Sequence, residues 1–360
     1  MKIISVVGAR PQFIKAASIS REIKKRNGRN TEIDEIIVHT GQHYDDNMSK
    51  VFFDQLEIRP PDHNLGVSAC SHGKQTGMML ERIEEVLLTE NPDWVVVYGD
   101  TNSTLAGSLA ASKLHIPIAH VEAGLRSFNR MMPEEINRVS TDHVSDLLFC
   151  PTDTALRNLA NEGIIKDAYN VGDVMYDLVL YYLALAEKRS KIQKDLKCGP
   201  GEYYLATVHR AENTDDPGRL EEILEALNAL DLAVVFPVHP RTGKVMEKLG
   251  LDLPNLRMIE PVSYLDMLVL EENAKIIFTD SGGIQKEAYF LQVPCVTLRD
   301  ETEWVETVKS GKNILTGADG SRIKKAAEQS MDERARVYPG FYGDGKASEK
   351  VLNVLIDHVK

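Results

Sequence analysis

The sequence predicts an α/β protein of two domains, each built on a doubly wound parallel sheet, and three observations carry that prediction. The chain has 360 residues, more than one hydrophobic core sustains, since chains divide beyond about 250–300 residues. Short apolar runs alternate with longer amphipathic stretches through both halves. Polar, chemistry-bearing residues stand just after those runs, where open α/β sheets bind their ligands.

Taken in order, residues 2–7, 35–40, 93–98 and 116–121 hold short apolar runs and read as strands buried on both faces, as a parallel sheet requires. Between them Met79, Leu80, Ile83, Val86 and Leu87 fall on one helical stripe. A second series of strands follows at 203–208, 233–238, 257–259, 275–279 and 295–298. The first domain is expected over residues 1–170, joined by a last helix at 346–360 that crosses back to it, and the second over 171–345. Residues 188–201, with four Lys before Cys198 and then Gly199-Pro200-Gly201, read as a surface excursion.

Composition narrows the partners. Hydrophobic residues are 43% and charged residues 27%, ordinary for a globular chain. A net charge of −12 argues against nucleic acid, which needs a basic face, yet leaves room for a local anion pocket. The four cysteines stand far apart, without the paired spacing of a zinc or redox site, and read as reduced thiols. No run approaches the roughly 18 apolar residues of a membrane span. The expectation is a cytoplasmic enzyme with no membrane insertion.

Gly8 allows a tight turn after the first strand, Pro11 suits a helix start, and Arg10 and Lys15 put two cations near a helix end that favours anions. Gly8 to Lys15 matches neither a dinucleotide-binding nor a Walker loop. Asp100 ends an apolar run, and reads either as a site carboxylate or as a helix N-cap. His120 and Glu122 are expected on one face of a strand end, where an unpaired core carboxylate would be costly. Glu134 and Arg138 are spaced i, i+4 after Pro133, as site residues or as a helix-surface ion pair. In the second half, His209-Arg210 and His239 with Arg241 follow successive strands. The sharpest local signal is Asp280-Ser281-Gly282-Gly283, a strand running into a helix whose free backbone N–H groups can cradle a diphosphate. Glu287 lies one turn inside that helix, placed to accept from ribose hydroxyls.

Read in order, these residues resemble the non-hydrolysing UDP-N-acetylglucosamine 2-epimerase family over essentially the whole chain. The matching strings are Gly8-x-Arg10-Pro11 with Lys15, Gln42-His43, Gly99-Asp100-Thr101, His120-Val121-Glu122-Ala123-Gly124-Leu125-Arg126, Pro133-Glu134-Glu135-x-Asn137-Arg138 and His209-Arg210. Thr279 to Gly283 with Gln285 and Glu287, and Tyr342-Gly343-Asp344-Gly345, complete the set.

The resemblance implies a GT-B architecture, two Rossmann-like domains facing a cleft, and a homodimer. It implies removal of the sugar C2 proton as UDP leaves C1, then re-addition of UDP after protonation on the other face, with no cofactor and no metal. By carry-over, Asp100, Glu122 and Glu134 are the acid/base candidates, the assignment to faces left open. Lys15, Arg138 and His209 would stabilise the departing diphosphate. Arg10, Gln42, His43, His239, Ser281, Gly282, Gly283 and Glu287 would hold substrate and its UDP handle.

The chain departs from the family's usual pattern at Gln12, Phe13, Lys286 and Glu303-Trp304-Val305-Glu306, and Gln42-His43 runs on into Tyr44-Asp45. These variants resemble the branch that epimerises UDP-2,3-diacetamido-2,3-dideoxyglucuronate. That substrate's extra carboxylate calls for a further cation, for which Lys74, Arg126 and Arg130 are candidates. The alternatives are epimerisation of UDP-N-acetylglucosamine, a hydrolysing relative, a GT-B glycosyltransferase acting on a UDP-sugar, and a non-catalytic UDP-sugar sensor.

Overall fold

A computed structural model describes residues 1–29, 32–41, 59–67, 70–330 and 337–359. Two units result. One comprises Met1–Leu180 with Gly340–Lys360, and the other Tyr181–Pro339. The boundary expected at 171 lies just ahead of the helix Val174–Arg189, within which the division falls.

The first unit holds seven parallel strands: β1 (Lys2–Val7), β2 (Asp34–His39), β3 (His63–Asn64), β4 (Trp94–Tyr98), β5 (Ile118–Val121), β6 (Leu147–Cys150) and β7 (Ala168–Asn170). Their order is β3-β2-β1-β4-β5-β6-β7. Every residue of β4, β5 and β6 is buried; β4 and β5 lie within the runs expected at 93–98 and 116–121, whereas β6 was not among the expected strands. The helix Asn102–Lys113 lies so close to the sheet that a Cβ on Gly107 would sit 3.2 Å from Val6 and Val97. The last helix, Ala347–Asp357, packs on Arg10–Asn27, with Arg26 Nη2 donating to Asn353 Oδ1 at 2.8 Å.

The second unit holds six parallel strands: β8 (Tyr204–Thr207), β9 (Val234–Pro237), β10 (Leu256–Ile259), β11 (Ile277–Thr279), β12 (Cys295–Thr297) and β13 (Asn313–Leu315). Their order, β10-β9-β8-β11-β12-β13, repeats that of the first unit. Residues 188–201 differ from the expected excursion: Val174–Arg189 runs through 188 and 189, and a second helix, Ile192–Leu196, seats Leu196 in the core. In each sheet the strand order reverses at one point, between β1 and β4 and between β8 and β11. The motifs at residues 8–15, Asp100, His209-Arg210 and residues 280–283 directly follow these four strands, the place where open α/β sheets bind ligands.

Candidate functional site

In the first unit the loop after β1 is anchored before any ligand arrives. A Cβ on Gly8 would stand 2.0 Å from Ser103 Oγ and 2.4 Å from Thr40 Oγ1, so this position needs glycine for close approach rather than for a turn. Gln12, almost fully buried, accepts from the Gly8 and Ala9 amides at 2.8 and 3.0 Å. Its other end donates to the Tyr98 carbonyl at 2.8 Å and to Thr104 Oγ1 at 2.9 Å. A carboxylate here could accept the same amides but has no N–H for the carbonyl. The two loop amides just ahead of the helix expected to attract anions are therefore already engaged. Arg10 opens that helix; its side chain, like Gln42 and His43, lies outside the described residues.

Four predicted residues form two ion pairs at the strand ends, and Glu135, which was not predicted, joins the second. Lys15, buried on its helix, reaches Glu122 Oε2. Arg138 binds Asp100 Oδ2 through Nη2 and Glu135 Oε2 through Nη1, the latter at 2.7 Å. Asn137 Nδ2 donates to the Asp100 carbonyl at 2.9 Å, holding the turn that presents the carboxylate. Gly99, at φ +64°, leaves room for the first pair: a Cβ there would be 3.1 Å from both Glu122 Oε2 and Lys15 Nζ. Asp100 is not the N-cap of the following helix, a role taken by Thr101.

Three expectations change. His120 and Glu122 do not share a face, because β5 stops at Val121 and Glu122 takes a left-handed φ of +71°. Glu122 turns to Lys15, whereas His120 is sealed beneath it between Asp142 and the Gly99 carbonyl. The i, i+4 pair of Glu134 with Arg138 is replaced by the i, i+3 pair with Glu135, and Glu134 stands exposed in the helix's first turn. Arg126 is not available to a substrate carboxylate: its side chain is 1% exposed, bound to Asp142 at 2.6 Å and to both oxygens of Glu162 at 2.7 Å. Lys74 and Arg130 are exposed.

Environment separates the carboxylates. Burial pushes the Glu135 carboxyl upward, but the Ser127 and Phe128 amides, the Ser127 hydroxyl and Arg138 outweigh it and hold it below the usual range. Asp142 shows the same contest, with His120 and Arg126 overcoming burial.

In the second unit Asp280, fully buried, organises the loop after β8. It accepts from the His209 and Arg210 amides at 3.0 and 2.9 Å and from Asn213 Nδ2 at 3.1 Å. The two His motifs do meet: the His209 and His239 rings lie 5.8 Å apart. Burial, with His239 and Arg210 adding to it, holds His209 below its ordinary value despite Asp280, so at neutral pH it donates a hydrogen bond rather than a full charge. His239 also caps its own helix, accepting from the Arg241 amide at 3.2 Å, while Arg241 turns away to Asp215.

Ser281 caps the helix Gly282–Phe290, accepting from the Ile284 amide at 3.5 Å. Measured from a Cβ placed on Gly282, Glu303 Oε1 is 2.7 Å away and Arg210 Nη2 3.7 Å, so a cation and a carboxylate stand over the glycines. Glu287 is buried and accepts from the Tyr264 hydroxyl at 2.9 Å. Two of the family departures touch one another, Lys286 Nζ lying 4.3 Å over the Trp304 ring.

Sequence reasoning gave no role to Gln12, Glu135, Asn137, Asp142 and Asp280, which bind the turns that carry the predicted residues. Glu135, Asn137 and Asp280 were inside quoted motifs, a signal that could have found them, and Gln12 was noted only as a departure. Asp142 carried only its type: an acidic residue beside apolar surroundings, which needs partners.

Known proteins resemble this chain along its whole length. A family model described as UDP-N-acetylglucosamine 2-epimerase matches residues 25–356. The chain is 52% identical to UDP-2,3-diacetamido-2,3-dideoxy-D-glucuronate 2-epimerase of Pseudomonas aeruginosa, covering 99% of each. It is 56% identical to a UDP-N-acetylglucosamine 2-epimerase homolog of Methanococcus maripaludis, again covering 99% of each. Among solved structures, UDP-GlcNAc 2-epimerase of Methanocaldococcus jannaschii in complex with UDP-GlcNAc and UDP superposes with a TM-score of 0.88 at 46% identity, covering 99% of this chain and 100% of that one. The α/β fold of two parallel sheets, the GT-B class, is shared with these structures.

Proposed function

Since the chain belongs to the UDP-N-acetylglucosamine 2-epimerase family, and so is an isomerase of UDP-sugars, we propose that it inverts C2 of UDP-2,3-diacetamido-2,3-dideoxy-D-glucuronate to give the mannuronate epimer. The observation that carries the chemistry is the pair of carboxylates, Asp100 and Glu122, on successive strand ends, each matched to its own cation. Inversion by proton removal and return needs two acid/base groups on opposite faces of the sugar. One carboxylate takes the C2 proton, the C1–O bond breaks with its electrons leaving on UDP, and C1=C2 forms. UDP oxygen then re-adds to C1 as a proton reaches C2 from the other face. Lys15 and Arg138 offset the charge that accumulates, with Glu134 the third acid/base candidate.

In the other unit Ser281, Gly282 and Gly283 hold the diphosphate, with Arg210 beside them and His209 and His239 donating hydrogen bonds. Glu287 takes the ribose. The substrate choice is supported by the Pseudomonas relative and by the departures at Gln12, Lys286 and Trp304. With Arg126 committed to Asp142 and Glu162, Lys74 and Arg130 remain for the C6 carboxylate. A homodimer is proposed from the family, to be checked by light scattering. A cytoplasmic setting is supported by four free cysteines.

The test is a panel of UDP-sugars incubated in D2O and followed by NMR. The diacetamido uronate should invert and gain deuterium at C2. Turnover of UDP-N-acetylglucosamine alone would sink the substrate assignment, and transfer to an acceptor without C2 exchange would mark a glycosyltransferase.

A further inference from the structure

His120 occupies the third position of β5 and has no exposed surface. Its Nδ1 lies 2.7 Å from Asp142 Oδ1, and its Nε2 lies 2.7 Å from the Gly99 carbonyl oxygen. A carbonyl only accepts. The carboxylate is likewise an acceptor, already taking Arg126 Nη1 at 2.6 Å and the Gly124 amide at 3.2 Å. Both contacts are hydrogen bonds together only when the ring donates from both nitrogens.

The backbone atoms that this cluster grips are the informative part. Gly99 is the residue before Asp100, and Gly124 the second residue after Glu122. Each lies in the left-handed region, at φ +64° and +78°, as does Glu122 itself at +71°. For a glutamate that conformation costs about 1–2 kcal/mol and persists only where its surroundings over-determine it. His120 and Asp142 therefore tie together, through backbone atoms, the two turns that aim the two carboxylates. A histidine that merely filled the core would not need both of these acceptors.

We infer that His120 is a positioning residue for the Asp100–Glu122 pair, acting through the Gly99 carbonyl and, by way of Asp142, the Gly124 amide. The inference rests on the epimerase reading of those carboxylates. Its test uses two variants that each keep one donor. Gln reaches about as far as Nε2 and retains the bond to Gly99, while Asn reaches about as far as Nδ1 and retains only the bond to Asp142.

Deuterium entry at C2, KM for the UDP-sugar and thermal melting are measured together on the full chain. H120N is expected to lower kcat at least 100-fold with KM within threefold of wild type, and H120Q to recover at least tenfold of that loss. Equal kcat in H120N and wild type overturns the proposal, as does a parallel fall of kcat, KM quality and melting temperature in both variants. Should H120N not fold, 15N NMR of the wild-type imidazole decides: both ring nitrogens carrying hydrogen supports the proposal, and one bare nitrogen overturns it. That signature does not depend on turnover, so a wild type inactive on every UDP-sugar would defeat the epimerase reading and still leave the clamp to be judged.

Discussion

A left-handed backbone is a strained place for a glutamate, and Glu122 accepts it at φ +71° beside a glycine at φ +64° that gives its carboxylate room. Gly99→Ala should therefore act on the Lys15–Glu122 pair directly. The added methyl lies 3.1 Å from both charged atoms and adds roughly 1 kcal/mol of left-handed strain. We expect kcat to fall ten- to a hundredfold with melting lowered by only a few degrees, read by C2 exchange and calorimetry. Glu122→Gln removes an acid/base candidate outright and should cost about 10²–10⁴ in kcat; an unchanged rate would exclude it from the chemistry. At this scale the sequence was partly legible. Glu122, Asp100 and His209 were singled out because each stands at the end of an apolar run, where open α/β sheets bind their ligands. Gln12 drew notice only as a departure, because its four bonds go to two amides, a carbonyl and a hydroxyl whose proximity no spacing rule encodes.

Among elements, the helix Pro133–Val144 shows where spacing misleads. Positions 134 and 138 are neighbours on a helix, but so are 135 and 138, and the second choice won because Glu135 also satisfies the Ser127 and Phe128 amides. The two glutamates should accordingly separate in experiment. Glu135→Gln weakens Arg138 and the preceding turn and should destabilise the protein by about 1–3 kcal/mol. Glu134→Gln, exposed and outside that network, should leave melting within about half a kilocalorie per mole of wild type. Any loss of turnover in Glu134→Gln is then chemical. Strand recognition followed the same physics. β1, β4 and β8 were legible because both faces are buried, as were the three-residue β11 and β12, but β3, β7 and β13 are short and only partly buried, so no apolar run marks them.

For the whole molecule, carboxyls answer pH in two opposite ways, and the first unit holds both kinds, since burial raises Glu35 and Asp177 there. Glu135, Asp142 and Glu162 all belong to the first unit and all titrate below the usual range. Their stabilisation is present above the unfolded value near 4 and is lost as pH falls through the folded ones. Glu271, in the second unit, goes the other way. It is fully buried on the helix Tyr264–Asn273, neither oxygen has a hydrogen-bond partner among the described residues, and burial with the nearby Glu287 raises its carboxyl well above 4.5. A raised acid favours folding below its unfolded value, and that advantage is lost as pH rises toward the folded one, at about 1.4 kcal/mol for each pH unit. Glu271→Gln keeps the shape and cannot ionise. Its melting temperature should match wild type near pH 4 and exceed it increasingly from pH 5 to pH 8, with hydrogen exchange slowed in residues 181–339 and unchanged in the first unit. A variant equally or less stable at pH 8 would mean that Glu271 is charged and paired in the folded protein.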